Sequence, residues 1–202
     1  TTGLLQLMFQ SGLLIPAEEN SQLGIYDKLF VDLGDDQNIE NDLSTYSSHL
    51  TYLNYFCRNA DQNTLVLTDE MGSGTDPSLG GALAEAILLN LLEKKVTAVI
   101  TTHYGNLKKL ALEHPNFISA AMEFDRSSLQ PTYRLVSGKP GSSYSFEIAR
   151  TIGLPDEVIK KAEELAGYDS VEMDETLADL QSKEQDLAKK LEEAERLRQQ
   201  HE

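Results

Sequence analysis

Leu65-Val66-Leu67-Thr68-Asp69-Glu70-Met71-Gly72-Ser73-Gly74-Thr75-Asp76-Pro77 decides how the 202-residue chain is read. Leu65-Val66-Leu67 is a short apolar run that ends on two carboxylates, Asp69 and Glu70. Gly72-Ser73-Gly74-Thr75 reads as a turn, and Asp76-Pro77 as an N-cap followed by proline at the first helical position. The spacing predicts a helix from there to about Lys94, then a β-branched run over 96–102 that ends at His103. Strand, helix and strand within about 40 residues form a βαβ unit, so the two strands are expected to be parallel. The fold class is therefore α/β, a mostly parallel sheet flanked by helices.

Working outward, residues 2–14 are apolar with a helical rhythm and stop at Pro16, and 25–33 favours a strand. A polar, acidic stretch over 34–41 follows. Leu43-Ser44-Thr45 then opens a helix whose apolar positions Tyr46, Leu50, Leu53 and Cys57 are spaced i, i+4, i+7, i+11. Beyond His103 the pattern predicts a helix over 105–113, strands near 117–124 and 132–136, and short helices over 143–152 and 155–166.

The 33 acidic side chains outweigh the 17 basic ones, a net charge of -16. At 40% hydrophobic the chain can still bury a core, which excludes a disordered acidic polymer. The acidity argues against a bare surface that grips nucleic acid by net charge. A single cysteine, Cys57, excludes a disulfide framework and points to a reducing, cytoplasmic location. No apolar run approaches the roughly 18 residues that span a bilayer, and no basic-then-apolar leader is present, so no membrane partner is expected. Composition shifts at Gly167: residues 168–202 hold 11 acidic and 5 basic side chains, net -6, leaving -10 for residues 1–167. Met173, Leu177, Leu180, Leu187, Leu191 and Ala194 fall on heptad a and d positions, broken at Glu184 and Arg198. The expected domains are thus 1–167, an α/β domain, and 168–202, an acidic helix or coiled-coil start. The chain opens without Met in what reads as mid-helix and stops inside a helical pattern, so it is expected to be a fragment cut at both ends.

In a parallel sheet, ligands bind at the carboxyl ends of the strands. One candidate strand delivers Asp69-Glu70 there and its neighbour delivers His103. An apolar run followed by two carboxylates is the Walker B pattern of nucleotide hydrolases. Asp69 suits Mg²⁺, a hard ion that wants oxygen ligands. Glu70 is placed to orient or deprotonate the attacking water, and His103 to meet the γ-phosphate. Ser44-Thr45 reads equally as an ordinary N-cap and as an anion site at a helix N-terminus. The turn over 72–76 serves as a helix cap, and a loop in that place also suits a dimer interface.

Three stretches carry a family resemblance: Leu65 to Pro77 as quoted, Gly80-Gly81-Ala82-Leu83-Ala84-Glu85-Ala86-Ile87-Leu88, and Thr101-Thr102-His103-Tyr104. With Leu43-Ser44-Thr45-Tyr46, Ser143-Tyr144-Ser145-Phe146-Glu147-Ile148-Ala149 and Gly153-Leu154-Pro155, they resemble the ATPase domain of the MutS family over about residues 1–167. Thr75-Asp76-Pro77 and the helix after it are similar to the type-two branch, which is tied to suppression of recombination rather than to mismatch correction. The resemblance implies an ABC-type nucleotide-binding fold in which two copies sandwich two ATP molecules with Mg²⁺. It assigns catalysis to Glu70 and His103, Mg²⁺ to Asp69, and nucleotide contact to Ser44, Thr45, Thr75 and Asp76. It implies a homodimer, branched DNA or stalled ribosomes as partners, and a nuclease-type domain further downstream in the parent.

The family's Walker A loop is missing: Gly138-Lys139 is followed by Pro140 and preceded five places earlier by Tyr133, which does not make a phosphate-binding loop. The chain by itself is therefore expected to bind ATP poorly and to be inactive, whatever its parent does. A glutamine-loop equivalent is expected within 17–40, with Gln22 and Gln37 both open. His49, His114 and His201 show no metal-ligand spacing, and Cys57 sits on an apolar stripe. The rival readings are a mismatch-repair MutS, a transporter ATPase subunit and a non-catalytic dimerisation module. Leu43-Ser44-Thr45-Tyr46 departs from the Leu-Ser-Gly-Gly-Gln signature of transporters, which counts against the second of these.

Overall fold

A computed structural model describes residues 1–33, 45–125, 130–138, 141 and 144–166, with isolated helical positions at 176, 183, 187, 190 and 198. The chain forms two compact units, Thr1–Asn116 and Phe117–Glu202. The first contains helix α1 (Thr2–Gln10), strand β1 (Lys28–Asp32), α2 (Thr45–Asn59), β2 (Thr64–Thr68), α3 (Pro77–Glu93), β3 (Thr97–Ile100) and α4 (Gly105–Glu113). Its three strands form one parallel sheet in the order β1-β2-β3. Lys28 stands opposite Thr64, and Leu65 opposite Thr97.

β2 is the central strand of the sheet, paired on both edges. All five of its residues are buried, as expected for a strand covered on both faces. α2 packs on β1 through Phe56, stacked on Phe30 at 5.3 Å, and Tyr55, edge-on to the same ring at 5.3 Å. α1 lies against β2: a Cβ at Gly3 would come within 2.9 Å of the Leu67 side chain. α3 supplies Ala84, Leu88 and Leu91 to the core, which also takes Leu53, Met71 and Leu107. Cys57, expected on the apolar stripe of α2, is half-buried; burial pushes its thiol up, against the pull of the Lys94 ammonium.

Element ends follow local chemistry. α1 stops at Gln10 rather than running to 14, because Gly12 takes a left-handed turn with φ 75°. Its N–H donates to the Phe9 carbonyl and that of Leu13 to the Met8 carbonyl, a Schellman closure. β1 begins at Lys28 rather than 25, because the Tyr26 backbone is engaged elsewhere. The Gln10 side-chain amide accepts from the Tyr26 N–H at 3.0 Å and donates to the Tyr26 carbonyl at 2.9 Å. α3 starts as the sequence implies: Asp76 accepts from the N–H groups of Ser78 and Leu79 at 3.0 and 3.1 Å, and Pro77 follows. It closes with a Schellman pair from Lys95 and Val96, with Lys95 itself left-handed at φ 58°.

The second unit holds an antiparallel pair, β4 (Ala120–Asp125) and β5 (Gln130–Ser137), with a bulge between Met122 and Phe124. Two helices follow, α5 (Ser145–Thr151) and α6 (Asp156–Ala166). Tyr144 is buried and stacks on Phe124 with centroids 5.1 Å apart, while Arg150 pairs with Glu163 across the two helices. The heptad pattern of 168–202 lies outside the described residues apart from the five isolated positions. Among the described residues, no helix is long and apolar enough to cross a membrane.

Candidate active site

Three parallel strands bring their carboxyl ends together, and sheet-like pairing continues just past the ladder. The Asp69 N–H donates to the Asp32 carbonyl at 2.8 Å, the Thr101 N–H to the Thr68 carbonyl at 3.1 Å, and the Met71 N–H to the Thr101 carbonyl at 3.0 Å. Asp69 and Glu70 are thereby held at the rim of the sheet with both residues exposed. Glu70 has φ 49°, the left-handed region, which a non-glycine residue seldom occupies and which clusters at functional sites.

The rim gathers three of the seven site residues singled out in the sequence. His103 Nε2 lies 3.7 Å from Glu70 Oε1, with the side chains 87% and 62% exposed. At that exposure the pair contributes at most about 1 kcal/mol to stability, so its importance lies in placing an imidazole beside a carboxylate. Asp69 adjoins them, its Oδ1 accepting the Thr101 hydroxyl. The same hydroxyl oxygen accepts the Glu70 N–H at 2.8 Å.

The turn after Glu70 is built on close approach. Gly72 and Gly74 have φ 87° and 88°, conformations that favour glycine. The Tyr104 hydroxyl donates to the Gly72 carbonyl at 2.6 Å. Gly74 passes alongside the start of α2, where an added Cβ would sit 3.4 Å from Tyr46 Cβ and 3.6 Å from Tyr46 N. Thr75 is half-buried with its methyl toward Gly80, and Asp76 uses Oδ1 as the α3 cap. Thr45 is the first residue of α2. Ser44 and Gln37 lie outside the described residues, and Gln22 is exposed.

Four residues at this end of the sheet were not marked as site candidates in the sequence: Asp32, His49, Thr101 and Tyr104. Thr101 falls in a β-branched run that reads simply as strand, so the pattern gives its hydroxyl no separate signal. His49, which shows no metal-ligand spacing in the sequence, is buried against Asp32.

The residues present suit Mg²⁺ carried by a nucleotide. Among the described residues no group of three or more His, Cys, Asp or Glu could hold a metal by itself. Mg²⁺ in nucleotide sites is commonly bound through one or two carboxylates plus substrate phosphates and waters. An exposed Asp69 at a strand end supplies such a carboxylate.

A parallel sheet flanked by helices, with chemistry-bearing residues at the carboxyl ends of its strands, is the architecture of a ligand-binding α/β domain. The family model described as MutS domain V matches residues 1–168, and the chain belongs to the MutS family. It is 48% identical over 190 residues to Endonuclease MutS2 of Ligilactobacillus salivarius, covering 94% of this chain and 24% of that protein. Endonuclease MutS2 of Alkaliphilus metalliredigens is 43% identical over 198 residues, 98% of this chain and 25% of that protein. The protein of the same name from Thermomicrobium roseum is 47% identical over 197 residues, again 98% of this chain and 24% of that protein. The chain thus spans about a quarter of the length of the curated relatives it matches, and the resemblance to the type-two branch agrees with their names.

Proposed function

We propose that Asp69, Glu70 and His103 form the hydrolytic end of an ATP site, and that Ser44, Thr45, Thr75 and Asp76 complete the corresponding site of a second copy. The observation that carries this reading is the 3.7 Å approach of His103 Nε2 to Glu70 Oε1 at the carboxyl ends of adjacent parallel strands. Asp69 holds Mg²⁺, which when bound neutralises charge on the phosphate oxygens. Glu70 orients a water and takes its proton as the water oxygen bonds to the γ-phosphorus and the bond to ADP breaks. His103 meets the γ-phosphate. Gly74 beside Tyr46 supports the two-copy reading, since it sets the post-Walker B turn next to the start of α2 on one surface.

In this reading, ATP binding and hydrolysis in the dimer drive clamp movement on branched DNA, in a cytoplasmic protein that suppresses recombination. At a net charge of -16, the DNA-gripping surface belongs to other parts of the protein.

The test is Glu70→Gln in a chain extended to the length of its relatives. ATP binding stays, and hydrolysis falls by roughly 10²-fold or more. Wild-type turnover in that variant removes Glu70 from catalysis. Mixing Ser44→Ala with Glu70→Gln subunits probes sharing: part of the hydrolysis returns if sites are composite, and none returns if each copy works alone.

A further inference from the structure

We infer that Thr101 is a positioning residue whose hydroxyl sets the orientation of both Walker B carboxylates. The inference rests on the ATP-hydrolysis reading of Asp69 and Glu70.

Thr101 bonds to four consecutive residues. Its N–H donates to Thr68, its carbonyl accepts from Met71, and its hydroxyl serves the two residues between them. Toward Glu70 the oxygen accepts the backbone N–H at 2.8 Å; toward Asp69 the O–H donates to Oδ1. An ionised carboxylate only accepts, so the direction of that second bond is fixed, and the hydroxyl has both its roles filled at once.

The backbone bonds need only a residue in extended conformation; the two side-chain bonds need a hydroxyl. Valine has nearly the same shape and a comparable preference for extended backbone, so Thr101→Val removes the hydroxyl and leaves the backbone bonds possible. The next residue uses its hydroxyl differently, Thr102 Oγ1 accepting the Tyr104 N–H at 3.1 Å ahead of α4. What the Thr101 hydroxyl stabilises is a residue in a conformation that L side chains seldom adopt, Glu70 at φ 49°. From that backbone conformation Glu70 Oε1 lies 3.7 Å from His103 Nε2. By engaging one oxygen of Asp69, the hydroxyl also settles the rotamer of the carboxylate that would face Mg²⁺.

Two measurements test this. In the 202-residue chain without nucleotide, amide exchange at Glu70 reports the bond directly. Thr101→Val speeds exchange there by about tenfold or more, while Thr101→Ser leaves it near wild type. In the full-length protein, Thr101→Val lowers kcat on the order of 10–100-fold and raises the Mg²⁺ concentration needed for half-maximal rate. The KM for ATP stays within about threefold, and Thr101→Ser restores kcat. Thr101→Ala replaces Thr101→Val if circular dichroism shows the valine variant unfolded. Equal losses in the serine and valine variants, or unchanged Glu70 exchange in Thr101→Val, overturn the inference. Wild-type kcat in Thr101→Val alongside an inactive Glu70→Gln overturns it while leaving the hydrolase reading intact. Full activity in Glu70→Gln overturns both.

Discussion

His49 Nδ1 lies 2.8 Å from Asp32 Oδ2, with only 10% and 6% of the two side chains exposed. Asp32 ends β1 and His49 sits one turn into α2, so the pair fixes that helix to the sheet at its carboxyl edge. The Asp32 carbonyl meanwhile holds the Asp69 N–H. Removing one partner leaves the other buried without its bond, at a cost of about 1–3 kcal/mol. Asp32→Ala should lose that much in urea unfolding. Asp32→Ala combined with His49→Leu should lose less than the sum of the two single variants, since no orphan remains. Strict additivity would show that the contact carries no energy.

Gly80 opposes helix propensity for a packing reason. An alanine there would ordinarily gain about 1 kcal/mol. Its Cβ would stand 2.6 Å from the Gly72 carbonyl oxygen and 2.8 Å from the Tyr104 hydroxyl, the two atoms already bonded to each other. Backbone cannot yield as a flexible side chain can, so Gly80→Ala should be destabilising by about 1–3 kcal/mol in spite of propensity. A rise in melting temperature would refute the crowding argument.

Lys95 shows the reverse case. It occupies the left-handed position of a Schellman closure that glycine normally fills. Lys95→Gly should stabilise the chain by about 0.5–1 kcal/mol, read as a higher urea midpoint with unchanged m-value. A lower midpoint would mean that the Lys95 side chain contributes more than its backbone costs.

Lys28 Nζ lies 2.5 Å from Asp61 Oδ2, and that hydrogen bond, followed by those from Asn63 and Thr64, holds the Asp61 carboxyl below the usual range. A folded-state value below the unfolded one makes the stabilisation complete above the ordinary carboxylate range, near 3.9. It is lost as pH falls through the lowered folded value. A carbon-detected titration should place the Asp61 midpoint below the ordinary one, and Lys28→Met should move it back. With both side chains well exposed, the effect on overall stability stays small.

The parts of the fold that were legible in the sequence depend on neighbours in the chain. Asp76-Pro77 caps α3 through residues two and three places on, and the apolar run of β2 signals burial on both faces by itself. The two ends of the Glu70–His103 approach were legible because a βαβ unit leaves no choice but parallel strands. The Asp32–His49 pair was not, because it needs the seating of α2 on β1. Thr101 was hidden for another reason: a β-branched side chain in a β-branched run satisfies the strand pattern completely, so its hydroxyl leaves no trace in the periodicity. α1 ends before its apolar rhythm does, because apolar residues continue to Leu14 after Gly12 has already turned the backbone.

β3 is exposed along three of its four residues, with Val99 48% accessible, and among the described residues only β2 pairs with it. An open row of backbone donors and acceptors is a template for adding a strand from another molecule. Mutual repulsion at a net charge of -16 opposes edge-to-edge pairing of this kind between copies of the 202-residue chain. That protection reaches about 10 Å at 0.1 M salt and only about 3 Å at 1 M. Concentrated stocks should accordingly stay clear in dilute buffer and turn cloudy as ionic strength rises, the opposite of ordinary salting-in.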